Sequence, residues 1–158
     1  AAEGDRDARG VRALAHKRGI RSVNVVSTRM LLAHGFLAKI FEVFARHRVV
    51  VDLVSTSEVS VSCTVDKDDG LDGAVRELRT YGDVTITNDL ALVCVIAAGL
   101  LEDPKPCARV FAVLAEENIP AQLLSMGASA INLSLLVPDA HAERAVKALH
   151  RALFSEHP

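Results

Sequence analysis

The sequence predicts an α+β fold in which one β-α-β-β-α-β unit occurs twice. Three observations lead there. Apolar residues between positions 36 and 44 recur at three- and four-residue spacing and are followed by two β-branched runs. The same succession begins again near residue 91. The apolar positions of the two halves then coincide when one is laid on the other. With 158 residues the chain is long enough for one ordinary domain or for two small ones.

After a polar leader, residues 1–10, Val11 to Lys17 and Ile20 to Ser27 read as two short strands separated by a break at Arg18-Gly19. Gly35 opens FLAKIFEVFARHR, in which Phe36, Leu37, Ile40, Phe41, Val43 and Phe44 form the stripe of an amphipathic helix. Arg46, His47 and Arg48 suit its C-terminal end. Val49 to Thr56 and Val59 to Val65 are β-branched and partly alternating, so they read as strands joined by a tight connection around Ser57-Glu58. Leu71, Ala74, Val75 and Leu78 mark a second helix, Tyr81-Gly82 ends it, and Val84 to Thr87 offers another strand. In the second half, Ala91 to Ala97 is a buried-strand run and Pro106 falls in a first helical turn. Ala108, Val110, Phe111, Val113 and Leu114 supply that helix with an apolar face, and Asn118 closes it. Ile119 to Ser125 and Ile131 to Val137 follow as strands, and Asp139 caps a last helix carrying Ala142, Ala145, Val146, Leu149 and Leu153.

Superposition of the halves places Phe41 on Phe111, Val43 on Val113, Phe44 on Leu114, Leu53 on Leu123, Val61 on Leu133 and Leu78 on Leu149. The second copy lacks a final strand, whereas the first has a spare one before it, Val11 to Lys17. The spare strand is expected to complete the second sheet. The first unit, residues 20–88, is then inserted in the second, residues 11–19 plus 89–154, and a cut at Asn88 is expected to destabilise both.

Half the residues are apolar, charges of both signs are interspersed and the formal net charge is −2. This excludes a disordered chain and argues against a nucleic-acid surface. No apolar run is long enough to span a bilayer, and the leader AAEGDRDARG carries no signal-peptide stretch, so a soluble, intracellular chain without membrane partners is expected. Cys63, Cys94 and Cys107 are odd in number, widely spaced and set in apolar surroundings, which suits reduced core thiols. There is no phosphate-loop sequence, no HExxH and no GxSxG. His34, His47, His141, His150 and His157 do not pair at ligand spacing, so neither a catalytic residue nor a metal or cofactor is expected.

One constellation stands out, in the first copy. Met30 to Leu37 (MLLAHGFL) makes a strand-to-helix turn in which Gly35 lets the backbone approach a ligand. It leaves the amides of Gly35, Phe36 and Leu37 at a helix N-terminus, where they suit a carboxylate. Asp52, on the next strand, and Glu58, at the following turn beside Thr56 and Ser57, suit two ammonium groups. One carboxylate and two ammonium groups describe a dibasic amino acid such as lysine, with Met30, Phe36 and Val51 covering its aliphatic stem. The plainer reading is that an Asp in a strand and a Glu in a turn are simply solvated. The duplication offers a control: Gln122 and Ala128 stand where Asp52 and Glu58 do, so the fold itself does not demand the acids.

The segment STRMLLAHGFLAKIFEVFARHRVVVDLVSTSEVSVSCTVD resembles the first ACT module of lysine-sensitive aspartate kinases of the bacterial and plant type. ALVCVIAAGLL, FAVLAEENIPAQLLSMGASAINLSLLVP and VKALHRALF resemble the second, and VRALAHKRGI resembles the segment joining it to the kinase. The resemblance implies two ferredoxin-like antiparallel sheets with helices on one face, the first module inserted in the second. It implies an L-lysine site built where the first modules of two chains meet, on Met30, Phe36, Leu37, Val51, Asp52, Thr56, Ser57 and Glu58. Family members often carry serine where this chain has Ala33 and Val50, whose backbone groups remain to bind; their loss of hydroxyls bears on affinity and effector choice. Threonine and S-adenosylmethionine are the other effectors to consider. The family's catalytic motif lies outside this chain, so no phosphoryl transfer is expected from it, only feedback control of a kinase domain that is its partner. The cytoplasm, or the plastid stroma for a plant chain, is the expected location. Rival readings are an amino-acid-sensing module of a transcription regulator, a small phosphatase on the same fold, and a pure assembly module. The first calls for a helix-turn-helix or basic patch, the second for an arginine in the Gly35 turn, and neither is in the sequence.

Overall fold

The computed structural model describes residues 10–31, 33–66, 70–100, 102–127 and 131–154. The chain separates into two compact units, one formed by Gly19–Leu90 and the other by the segments on either side of it. No helix among the described residues is long and apolar enough to cross a membrane.

The inserted unit follows the order predicted for the first copy. Its strands are the later part of β1 (Gly10–Val26), β2 (Val51–Thr56), β3 (Ser60–Val65) and the opening of β4 (Asp83–Ala98), in the order β2-β3-β1-β4. Two helices join them, α1 (Phe36–Arg46) and α2 (Leu71–Leu78). β3 pairs antiparallel with both neighbours, Val23 facing Cys63 on one side and Val54 facing it on the other. Val23, Val25, Val61, Cys63 and Val65 meet Ile40, Val43 and Phe44 of α1 and Ala74, Val75 and Leu78 of α2 in one core. Each fully buried Val, Leu or Phe there contributes about 1.5–3 kcal/mol. Burial pushes the Cys63 thiol up to about 12, so it stays protonated and inert. The end of α1 lies close against the start of α2. A Cβ built on Gly70 would lie 1.9 Å from the His47 carbonyl oxygen, and one on Gly73 would lie 2.6 Å from the His47 ring. Between the two helices Glu77 accepts from His47 Nε2 at 2.9 Å and pairs with Arg46. The His47 hydrogen bond, helped by Arg46, holds the Glu77 carboxyl below its ordinary value.

The flanking unit is ordered β1-β4-β6-β5, using the early part of β1 and the later part of β4 with β5 (Leu124–Met126) and β6 (Asn132–Pro138). Val93, Val95, Leu135 and Val137 pack beneath α3 (Lys105–Glu116) and α4 (Ala142–Phe154), and Val11 and Leu14 of the spare strand pack against the same core. The helix pair is tied by Glu117, which faces Arg144 at 3.5 Å and Arg151 at 4.0 Å.

Three boundaries differ from expectation. The break predicted at Arg18-Gly19 is a kink inside one continuous strand, Gly19 taking φ +71°. The last strand of the first copy and the first of the second are likewise a single β4, with Asp89 at φ +56°. A left-handed residue re-aims a strand without ending it. The strand predicted from Ile119 is regular only from Leu124, because Pro120 removes a donor; Gln122 N and Leu123 O still bond to Leu136 at 2.9 and 3.0 Å. Asp139, expected to cap the last helix, instead opens a short 3-10 turn before α4, because its carboxylate is engaged by Arg18, accepting Nε at 3.0 Å and Nη2 at 2.6 Å. The leader's residues 1–9 and His157 lie outside the described residues.

Candidate functional site

The strand-to-helix turn of the inserted unit is built from its own backbone. Past β1 the chain makes a 3-10 turn, Thr28–Met30, with Met30 N donating to Ser27 O at 3.1 Å and Ala33 N to Met30 O at 3.1 Å. Gly35 then takes φ +75° and opens α1. A Cβ there would meet nothing within 4 Å, so conformation and not crowding within the chain calls for glycine. Lys39 N is the first amide to reach a helical acceptor, Gly35 O at 3.2 Å, and no side-chain cap serves the helix. Helix geometry therefore leaves the amides of Phe36, Leu37 and Ala38 without intrahelical acceptors. Phe36 turns into the core and meets Tyr81 edge to face, ring centroids 6.5 Å apart.

Opposite this turn stands the β2–β3 hairpin. Ser57 N donates to Ser60 O at 2.9 Å, and the two serine hydroxyls lie 2.7 Å apart, so the Ser57 hydroxyl already serves the hairpin. Exposed Glu58 is thereby held at the tip. Between hairpin and turn lies a pocket of about 370 Å³, within the range of small-molecule sites. Seven residues singled out from the sequence line it: Met30, Ala33, Gly35, Phe36, Leu37, Ser57 and Glu58.

Four others stand on or beside β2, outside the lining. Val50 is 64% exposed, Val51 packs against the core and Thr56 is exposed opposite Val61. Asp52 is exposed at a register shift between Val51 and Leu53, where β2 carries one more residue than its partner. Leu31, 51% exposed, joins the lining although sequence reasoning passed over it. Its only signal was an apolar residue in a loop, beside Met30.

The second copy enters its helix differently. Asp103, just ahead of α3, accepts the Lys105 amide at 3.0 Å, and Pro106 removes another donor from the first turn. One of its first amides is thus met by a side chain of the same chain, although its N-cap residue, Pro104, supplies no side-chain cap. A larger cavity, about 580 Å³, lies beside this end and includes Asp103, Lys105 and Arg109. Of the first-turn amides beside it, that of Lys105 is taken by Asp103 and that of Pro106 is absent. Gln122 is exposed where the first copy has Asp52, and Ala128 lies outside the described residues. Among the described residues no three His, Cys, Asp or Glu side chains are grouped to hold a metal.

A duplicated βαββαβ fold with antiparallel sheets and paired helices is that of a regulatory module. The chain belongs to the ACT domain family, which matches residues 23–80 and 93–153, one stretch in each copy. Its relatives there are aspartate kinases, and the part matched is regulatory. A C-terminal regulatory domain of aspartate kinase from Porphyromonas gingivalis is 37% identical, with 90% of this chain and 96% of that one covered and a TM-score of 0.77. E. coli aspartokinase III, solved in complex with lysine and aspartate, is 35% identical over 94% of this chain, with a TM-score of 0.76. The aspartokinase of Saccharomyces cerevisiae is 35% identical over 153 residues, 94% of this chain. The chain spans 34% of the E. coli protein and 29% of the yeast one.

Proposed function

We propose that this chain is the lysine-sensing regulatory region of an aspartate kinase, with residues 20–88 as the effector-binding module. One observation carries the reading: α1 starts from a left-handed glycine with no side chain on its first amides, in the same pocket as Glu58, whereas at the start of α3 the Asp103 carboxylate takes the Lys105 amide. An amino-acid carboxylate satisfies the amides of Phe36 and Leu37, and Glu58 accepts an ammonium group at the other end. Met30, Leu31 and Leu37 cover the methylene stem. The complex of E. coli aspartokinase III with lysine supports this choice of ligand.

Asp52 and Val50 take part from a second copy of the module. β2 is the edge strand of its sheet, so both residues lie where another chain is able to approach. Lysine between two first modules then favours one dimer arrangement, in which the kinase domain of the full protein is less active. It does so only through unequal affinity for the two states. The cytoplasm, or the plastid stroma for a plant chain, is the compartment where this control operates.

Calorimetric titration with lysine, threonine and S-adenosylmethionine tests the reading. Saturable heat with lysine is expected at or below millimolar concentration. Absence of any lysine heat overturns the effector assignment, and a stronger response to threonine or S-adenosylmethionine replaces it.

A further inference from the structure

We propose that Arg29 is a positioning residue for this pocket, holding the loop that carries Met30 and Leu31 against the turn that opens β4. The inference rests on the amino-acid-binding reading above. Arg29 is absent from the pocket lining; its Nη2 donates to Thr80 O at 3.0 Å and to Tyr81 O at 3.2 Å. Those carbonyls follow directly on the end of α2 at Leu78, where the helix dipole favours a cation. Ser27, 7% exposed, makes the second tie, its hydroxyl donating to Tyr81 O at 2.8 Å. Its amide donates to Val59 O at 2.8 Å, next to Glu58. The third tie is the edge-to-face contact of Tyr81 with Phe36 at the start of α1.

The turn that receives these ties is itself well held. Tyr81 N and Gly82 N donate to Leu78 O at 2.9 and 3.3 Å, and Thr80 Oγ1 donates to Glu77 O at 2.7 Å. Gly82 lets the two segments approach: a Cβ there would lie 2.4 Å from Val26 O. Both walls of the pocket, the Thr28–Leu31 segment and the hairpin tip, are thus referred to one fixed turn. Among the described residues the second copy shows no equivalent. Gly99 stands in place of Arg29, and α4 continues to Phe154 past the positions that match Thr80–Gly82.

Exposed Arg29 is replaceable without opening the core. If the loop is in place for only a fraction of the time, apparent affinity falls by that fraction, here about three- to tenfold for Arg29→Ala. Arg29→Lys keeps the charge, loses the planar fork, and is expected between the two. The experiment is calorimetry with lysine on the whole chain for wild type and both variants, with amide hydrogen exchange of residues 28–37 with and without lysine. The expected result is weaker binding, faster loop exchange in the free variant and recovered protection at saturating lysine. Wild-type affinity in Arg29→Ala overturns the proposal. Should the wild-type chain bind no lysine, the effector reading fails and exchange alone decides: unchanged loop exchange in Arg29→Ala overturns the positioning role, and faster exchange upholds it.

Discussion

The two copies agree at the back of their first helix and disagree at its front. From residue 42 to 50 and from 112 to 120 the alternation of buried and exposed positions is the same residue by residue. Both helices end in a left-handed residue, Arg48 at φ 56° and Asn118 at φ 51°. Both then return the next amide to the last turn, Val49 N to Phe44 O at 2.9 Å and Ile119 N to Leu114 O at 2.8 Å. At the front, one helix starts from Gly35 beside a pocket and the other from Asp103 and Pro-flanked backbone. The helix ends feed the core and are fixed by packing. The starts differ although Phe36, the first residue of α1, also packs into the core; on the proposed reading one start serves a ligand while Asp103 serves the other.

The comparison breaks most visibly where α1 meets α2. Gly70→Ala drives a methyl group into the His47 backbone, which no rotamer relieves, and a loss of about 3 kcal/mol is expected in urea or thermal unfolding. His141→Ala, at the matching place in the second copy, is expected to cost under about 1 kcal/mol. Equal losses mean that the close approach is not peculiar to the inserted unit.

Next come the helix starts, tested as a pair. Glu58→Gln is expected to weaken lysine binding about tenfold to a hundredfold while leaving the melting temperature nearly unchanged, as a lost charge-assisted bond predicts. Asp103→Ala is expected to do the reverse, with intact lysine binding and about 1 kcal/mol less stability. If Asp103→Ala impairs lysine binding, the division of labour between the copies is wrong. The smallest expected effect sharpens the shared feature. Arg48→Gly relieves a left-handed side chain and is expected to stabilise by about 0.5–1 kcal/mol, and Asn118→Gly by less, because asparagine tolerates that conformation. A loss of stability in Arg48→Gly shows that its side chain has a role beyond the turn.

Much of the fold was legible because burial writes a period into the chain. The stripe from Phe36 to Phe44 and its echo from Val110 to Leu114 placed two helices, and the unmatched strand at Val11 announced the insertion. The turn residues were read too strongly. Gly19 is a breaker in isolation, and the runs on either side of Asn88 read as separate strands, yet β1 and β4 each run on through a left-handed residue, Gly19 and Asp89. At the site, Gly35 and Glu58 were legible from residue type and order. The extra residue at Asp52 was not, because a register shift is settled by pairing across the sheet: Leu53 N bonds to Thr64 Oγ1 at 2.9 Å. Nor was the Ser57–Ser60 contact, which claims for the hairpin a hydroxyl that sequence reasoning offered to a ligand. Asp103 was passed over for the same reason, since a carboxylate near Pro106 looks alike whether it caps a helix or faces solvent.

Asp103 also has a bearing on timing. The carboxylate that serves α3 is attached two residues away, so its presence there is set by chain geometry and is the same in a starved cell and a replete one. On the proposed reading the occupant of α1 arrives by diffusion and leaves again, so its occupancy follows the surrounding pool. Under that proposal the two copies set a helix start that varies with supply beside one whose Lys105 amide is permanently taken.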